Sequence, residues 1–183
     1  MQMGIYFDQT RCTGCQACTV ACKDWHDIPA GPSKWLWVST NERGRFPHLS
    51  VSFLVHCCYH CEKPACLEVC PAEVITKRKE DGIVVVDQTS CLGKEKCGLC
   101  LEACPYQAPQ FRAEPESPME KCDLCLHRWT QGRKPVCVES CPTRALDAGP
   151  IEQLQGKYGE VKEAEGFDYS PELRPAILFK PKK

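Results

Sequence analysis

The chain has 183 residues, 17 of them cysteine, and its 23 Lys plus Arg nearly balance 24 Asp plus Glu, giving a formal charge of −1. That cysteine density lies outside ordinary globular composition, so something must occupy the thiols. The balanced charge argues against a sequence-independent nucleic-acid binder, and no run of about 18 apolar residues is present to cross a bilayer.

The start, Met1 to Asp8, has neither a positive region followed by an apolar core nor a twin-Arg pair, so no export signal of its own is expected. Cytoplasmic residence and export in company with a signal-bearing partner both remain open. Gly4 to Asp8 reads as a short strand leading into the first cysteine group, Cys12, Cys15, Cys18 and Cys22, spaced C-x2-C-x2-C-x3-C. Asp24 to Ser52 holds Trp25, Trp35, Trp37 and Phe46, with a loop marked by Pro29, Gly31 and Pro32. It is expected to cover a module or meet a partner.

The second group is Cys58, Cys61, Cys66 and Cys70, C-x2-C-x4-C-x3-C, with Cys57 as an extra thiol immediately before it. A strand, a charged turn at Lys77 to Gly82 and a second strand follow. The third group is Cys91, Cys97, Cys100 and Cys104, C-x5-C-x2-C-x3-C, and the fourth is Cys122, Cys125, Cys137 and Cys141, with an 11-residue gap in its middle. Leu154 to Lys183 is more polar and closes on an apolar strand at Ala176 to Phe179. It reads as a tail lying on the protein surface or on another subunit.

Three uses of the thiols compete. Disulfides suit neither the odd count nor the close C-x2-C pairs. Structural zinc takes two separated pairs and has no use for a further Cys three residues on. A cubane iron–sulfur cluster needs three thiolates from a tight turn and a fourth from elsewhere. The run C-x2-C-x2-C-x3-C-P is its bacterial ferredoxin signature, with the fourth Cys ligating the neighbouring cluster. Pro follows the last Cys in three groups, at Pro71, Pro105 and Pro142, while Lys23 follows Cys22. Four 4Fe-4S clusters are therefore expected.

Internal repeats agree. Asp8-Gln9-Thr10-Arg11-Cys12 parallels Asp87-Gln88-Thr89-Ser90-Cys91, and Cys70-Pro71-Ala72-Glu73-Val74-Ile75 resembles Cys141-Pro142-Thr143-Arg144-Ala145-Leu146. Groups two and three, adjacent in sequence, outline one two-cluster module over residues 57–104. Groups one and four then pair across it, from residues 1–56 and 105–150, leaving 151–183 as a C-terminal extension. The expected architecture is α+β and loop-rich, with two bacterial-ferredoxin-like modules. The crossing rule assigns one cluster to Cys12, Cys15, Cys18 and Cys141 and its partner to Cys22, Cys122, Cys125 and Cys137. The inserted module holds one on Cys58, Cys61, Cys66 and Cys104 and another on Cys70, Cys91, Cys97 and Cys100.

The segments Arg11-Cys12-Thr13-Gly14-Cys15, Ala21-Cys22-Lys23-Asp24, Cys61-Glu62-Lys63-Pro64-Ala65-Cys66 and Cys137-Val138-Glu139-Ser140-Cys141-Pro142 carry a resemblance over nearly the whole chain. They are similar to those of the iron–sulfur, or beta, electron-transfer subunits of the molybdopterin oxidoreductases, the dimethyl sulfoxide reductase family. The resemblance implies a chain of four clusters, a larger catalytic partner holding a bis-pterin molybdenum or tungsten site, and often a membrane anchor that exchanges electrons with quinone. It suggests anaerobic respiration. The five residues between Cys91 and Cys97, in place of the usual two, depart from the family pattern. They put the role of Cys91 in question and make Cys57 a conceivable substitute elsewhere.

With every iron closed by a thiolate, such a chain has no catalytic residue of its own and its work is one-electron transfer. Alternatives are a polyferredoxin-type conduit for a flavin enzyme or hydrogenase, and a structural or redox-sensing cysteine–metal module. Lys23, Lys94, Lys96, Lys121 and Arg128 lie beside ligand cysteines and could raise cluster potentials, or stay solvated surface charges. His56, His60 and His127 read as packing or hydrogen-bonding groups rather than ligands.

Overall fold

The apolar run at the N-terminus becomes the middle of the main sheet. In the computed structural model, which describes residues 1–182, β1 (Met3–Asp8) is buried along its whole length, as befits a strand covered on both faces. Next come α1 (Ala17–Trp25), β2 (Leu36–Arg43), β3 (Ser50–Cys57), α2 (Ala65–Glu68), β4 (Ile75–Lys77) and β5 (Val84–Val86). A single 3-10 turn at Gln88–Ser90 leads to α3 (Gly93–Lys96), α4 (Leu99–Ala103), α5 (Leu126–Thr130) and α6 (Val136–Glu139). The chain closes with β6 (Leu146–Pro150), α7 (Ile151–Tyr158) and β7 (Ile177–Lys180). Helices of four or five residues, as α2 to α6 are, cannot hold themselves in water and depend on what anchors them.

β1 pairs antiparallel with β6, from Met3↔Pro150 to Phe7↔Leu146, and parallel with β7, from Ile5↔Ile177 to Asp8↔Lys180. The period of two sorts their side chains. Ile5, Phe7, Leu146, Ile177 and Phe179 face the main core with Leu54, Val55, Tyr59 and Ile83. Tyr6 and Leu178 face the other way, onto Leu154 of α7, and the rings of Tyr6 and Tyr158 stack at 3.7 Å. β4 and β5 form a separate antiparallel pair, whose Ile75 and Val84 join Val74 and Met119 in a second, smaller core.

Both sequence repeats recur as geometry. Asp8 and Asp87 each accept the backbone N–H two residues on, at Thr10 (2.9 Å) and Thr89 (3.0 Å), so each Asp-Gln-Thr forms the same Asx turn before a cysteine group. After each Cys-Pro step the third residue, Glu73, Gln107 or Arg144, has positive φ and donates its N–H to the cysteine carbonyl at 3.1 Å.

The C-terminal segment differs from expectation. Ile177, Leu178 and Phe179 are buried and β7 fills an edge of the main sheet, so the segment is built into the fold rather than laid on its surface. A strand apolar on both faces finds no other place to lose its water. Within Asp24 to Ser52, β2 pairs with β3 over its full length, Leu36↔Cys57 to Arg43↔Ser50. The hairpin tip is exposed, Phe46 at 95%. Among the described residues no helix is long and apolar enough to cross a membrane.

Asp147 ties β6 to its surroundings. Its carboxylate accepts from Lys134, from Lys157 at 3.1 Å, from the Tyr158 hydroxyl at 2.7 Å and from the Ala148 N–H at 2.8 Å. Burial pushes this carboxyl up, but the hydrogen bonds overturn that effect and hold it down at about 2. Asp147→Asn should cost about 1–2 kcal/mol in thermal or denaturant unfolding. Because the folded value is depressed, the contribution of Asp147 is full above the ordinary value of 3.8 and is lost as pH falls through about 2. The difference between wild type and variant should therefore vanish across that window and be constant at neutral pH.

Candidate metal centres

The fold gathers all seventeen cysteines around four small cavities, sixteen of them in sets of four. Cys12, Cys15, Cys18 and Cys141 line one, and Cys22, Cys122, Cys125 and Cys137 line the next. Cys58, Cys61, Cys66 and Cys104 surround a third, and Cys70, Cys91, Cys97 and Cys100 the fourth. In each, three thiols come from one cysteine group and one from another. Cys91 faces its cavity in spite of the longer spacing that follows it.

One backbone device recurs. The residue two after the first cysteine of each group has positive φ: Gly14 (69°), His60 (47°), Gly93 (75°) and Leu124 (57°). That bend turns an N–H back onto the sulfur. Gly14, His60 and Leu124 each donate to the first cysteine of their group, the last at 3.4 Å. Cys91 receives instead the Met119 N–H at 3.4 Å, because the extra residues carry α3 between it and Cys97. A buried His or Leu in this region is strained, so the surrounding structure must impose the conformation.

Cys57 is the fifth thiol at the Cys22 cavity, 3% exposed. The Cys57 and Cys122 thiols act on one another, and their interaction pushes Cys57 well above the usual thiol value while it holds Cys122 below it.

The donor chemistry fits an iron–sulfur group. Burial first, and crowding by neighbouring thiols second, push Cys18 and Cys100 up to about 11 and Cys61 to about 12. Four such thiols around one space become thiolates together only around a cation that displaces their protons. A 4Fe-4S cubane takes four thiolates, one per iron. Cys141 stands apart: burial raises it, but the Thr143 hydroxyl and the N–H groups of Ala145, Leu146 and Thr143 outweigh burial and bring it below the usual value.

The basic residues separate by burial. Lys94 and Lys96 are exposed, as surface charges would be. Arg128 is 1% exposed, ion-paired with Glu139 and stacked 4.5 Å over the Trp25 ring. Lys121 is 4% exposed and lines the Cys58 cavity. His60 is buried and accepts the Val84 N–H at 3.0 Å, His56 stacks on Trp37 at 3.8 Å, and His127 is exposed. Sequence reasoning passed over His26, whose Nε2 lies 3.3 Å from the Cys125 sulfur while its ring packs on Trp35. Nothing local to His26 signals a residue 99 positions away; only α1, by placing Cys22 in the same cavity, brings them together.

A family model described as a 4Fe-4S dicluster domain matches residues 49–151. The site and this match define an iron–sulfur electron-transfer protein that binds 4Fe-4S clusters. The sequence is 42% identical over 187 residues to a chain of the anaerobic dimethyl sulfoxide reductase of Escherichia coli (strain K12), covering 98% of this chain and 89% of that protein. It is 37% identical over 190 residues to the counterpart of the same name from Haemophilus influenzae, covering 100% and 90%. It is 33% identical over 205 residues to a subunit of the sulfite dehydrogenase of Allochromatium vinosum, covering 100% and 84%. This chain therefore belongs to the iron–sulfur subunits of the dimethyl sulfoxide reductase family.

The positive-φ bend can be tested by paired substitutions. Gly14→Ala places a methyl group against the Phe53 ring at a left-handed position, whereas Gly156, inside α7, opens onto empty space with no such φ. In thermal unfolding of the loaded chain, Gly14→Ala should lose about 1 kcal/mol or more and Gly156→Ala should gain about 0.5–1 kcal/mol.

Proposed function

We propose that the chain is an electron-transfer subunit that passes single electrons along four 4Fe-4S clusters. Its partners in this reading are a large catalytic subunit with a molybdenum or tungsten bis-pterin site and an external donor or acceptor, either a quinone-linked anchor or a soluble carrier. The names of the relatives, subunits of dimethyl sulfoxide reductase and sulfite dehydrogenase, support a catalytic partner of this kind. The observation that carries the reading is the set of four cavities, each faced by at least four thiols, with neighbours joined by very short stretches of chain.

α1 supplies Cys18 to one cavity and Cys22, one turn later, to the next. Cys57 and Cys58, adjacent in sequence, face the second and third cavities. Cys66 with Cys70, and Cys100 with Cys104, join the third to the fourth. The ligand sets follow the cavities: Cys12, Cys15, Cys18 and Cys141; Cys22, Cys122, Cys125 and Cys137; Cys58, Cys61, Cys66 and Cys104; and Cys70, Cys91, Cys97 and Cys100.

When bound, the clusters supply one-electron oxidation and reduction at potentials set by burial, hydrogen bonds to sulfur and nearby charge. The chain contributes each of those settings. The Gly14, His60 and Leu124 amides bond the ligand sulfurs, Cys57 shares a cavity with Cys122, and the two apolar cores exclude water. Pairing of β1 with β6 and of β4 with β5 supports one module made from residues 1–56 with 105–150 and an inserted one at 57–104.

Anaerobic purification of the native complex through a tag on this chain, with iron, molybdenum, tungsten and zinc quantified, tests the reading. About 16 irons per copy, with molybdenum or tungsten on a co-purifying large subunit, are expected. Full iron with neither metal would leave a ferredoxin-type conduit for another oxidoreductase, and zinc in place of iron would sink the proposal. The ligand sets carry their own test. Cys104→Ser should disturb the spectroscopic signal of the cluster on Cys58, Cys61 and Cys66, while Cys57→Ala should keep full iron. Loss of the Cys91-group signal from Cys104→Ser, or of iron from Cys57→Ala, would overturn the assignment.

A further inference from the structure

Lys121 occupies an unusual place. It lies immediately before Cys122, which faces the Cys22 cavity, yet its own side chain lines the Cys58 cavity. Its ammonium donates to the Val84 carbonyl and, at 3.0 Å, to the Cys122 carbonyl. Arg128, the other fully buried cation, has Glu139 as a carboxylate partner, and half-buried Arg112 has Glu120, whereas half-buried Lys23 and Lys77, like Lys121, donate to neutral oxygens. Among the described residues, no ion pair includes Lys121.

A buried ammonium satisfied only by carbonyl oxygens is costly to keep, because two neutral acceptors do not replace the water it gave up. The charges within reach are those of the cavity-lining sulfurs. Cys58 and Cys66 both feel the Lys121 charge, and Cys122, across the junction, feels it too. Each oxidised cubane with four thiolates carries about two negative charges, and reduction adds one more. A fixed positive charge in the cavity wall, at low dielectric, favours the more negative, reduced form. Lys94 and Lys96, exposed beside Cys97, are screened by water and salt and lack this leverage.

We propose that Lys121 is the built-in counter-charge of the junction between the two middle cavities, raising the reduction potential of the cluster held by Cys58, Cys61, Cys66 and Cys104. It acts through that cluster, as a positioning residue for charge rather than a ligand. Lys77 adds to that charge: half-buried, it donates to the Cys61 carbonyl at 2.9 Å. The inference rests on the four-cluster reading.

The test is a potentiometric titration of the anaerobically purified complex, followed by electron paramagnetic resonance, with iron measured on every sample. Wild-type iron content and the number of titrating components judge the four-cluster reading by themselves, before any variant is compared. Lys121→Met, close in length and uncharged, should keep full iron and shift one midpoint downward, and the shift should persist at high salt. Lys121→Arg should stay near wild type, and Lys96→Met should move no midpoint comparably. An unshifted Lys121→Met with full iron, or a Lys96→Met shift as large, would overturn the proposal. If Lys121→Met fails to load iron, Lys121→Gln, which retains N–H donors for the two carbonyls, takes its place. A downward shift in the loaded Gln variant, or failure of both neutral variants to load while Arg loads fully, upholds the charge. Failure of Arg as well, or an unshifted Gln variant, assigns Lys121 a purely structural role.

Discussion

The structure depends on holding four ionisable thiols around one small space, four times over. Buried and crowded, those thiols resist ionisation, as Cys61 and Cys66 at about 12 illustrate. Their grouping gains nothing for the bare chain and becomes favourable only when a cation replaces the protons. The rest of the fold is arranged to deliver them. Loops must bend sharply enough to point three sulfurs inward, and strained positive φ at His60 and Leu124 is accepted so that a backbone N–H also faces the sulfur. Helices of four or five residues suffice because their ends are to be anchored by what the cysteines bind.

That arrangement also explains why the sheets are small. β1, β6 and β7 draw the two ends of the chain together, and that closure is what puts Cys141 beside Cys12, Cys15 and Cys18. β4 and β5 do the same work around the fourth cavity, where Val74 and Ile75 are part of the wall. Each cavity borrows a thiol from another cysteine group, so no group can be built alone. The cores are interleaved with sulfur: Cys18, Cys22, Cys57, Cys58 and Cys122 count among the residues of the larger one.

Tuning and holding share the same atoms. The amides that bend the loops also donate to sulfur, Cys57 lies in the same cavity as Cys122, and His26 lies against Cys125. With clusters bound by these cysteines as proposed, each such contact would stabilise the extra negative charge of the reduced form. In an electron-transfer protein, potentials are thereby set largely by the local geometry that makes the fold possible.

Chemistry was legible in the sequence because cluster ligation is local: three of four thiols come from one short run, and C-x2-C spacing followed by Cys-Pro is enough to recognise it. The Asp-Gln-Thr repeat, legible as two parallel copies, folds into matching turns, since an Asx turn needs only three consecutive residues. What required long-range packing was not legible. The place of Ile177 to Phe179 depends on an open edge of β1 about 170 residues earlier. The pairing of β2 with β3 gave Asp24 to Ser52 an order that its prolines and tryptophans did not announce. Lys121 and Lys96, both basic and both beside a cysteine, are indistinguishable as letters; one is buried at a junction of cavities and the other stands in solvent. Residue type and spacing determined which group these thiols suit. Only the tertiary structure decided which charges lie close enough, and dry enough, to act on it, because burial and dielectric belong to the packed chain and not to its order of residues.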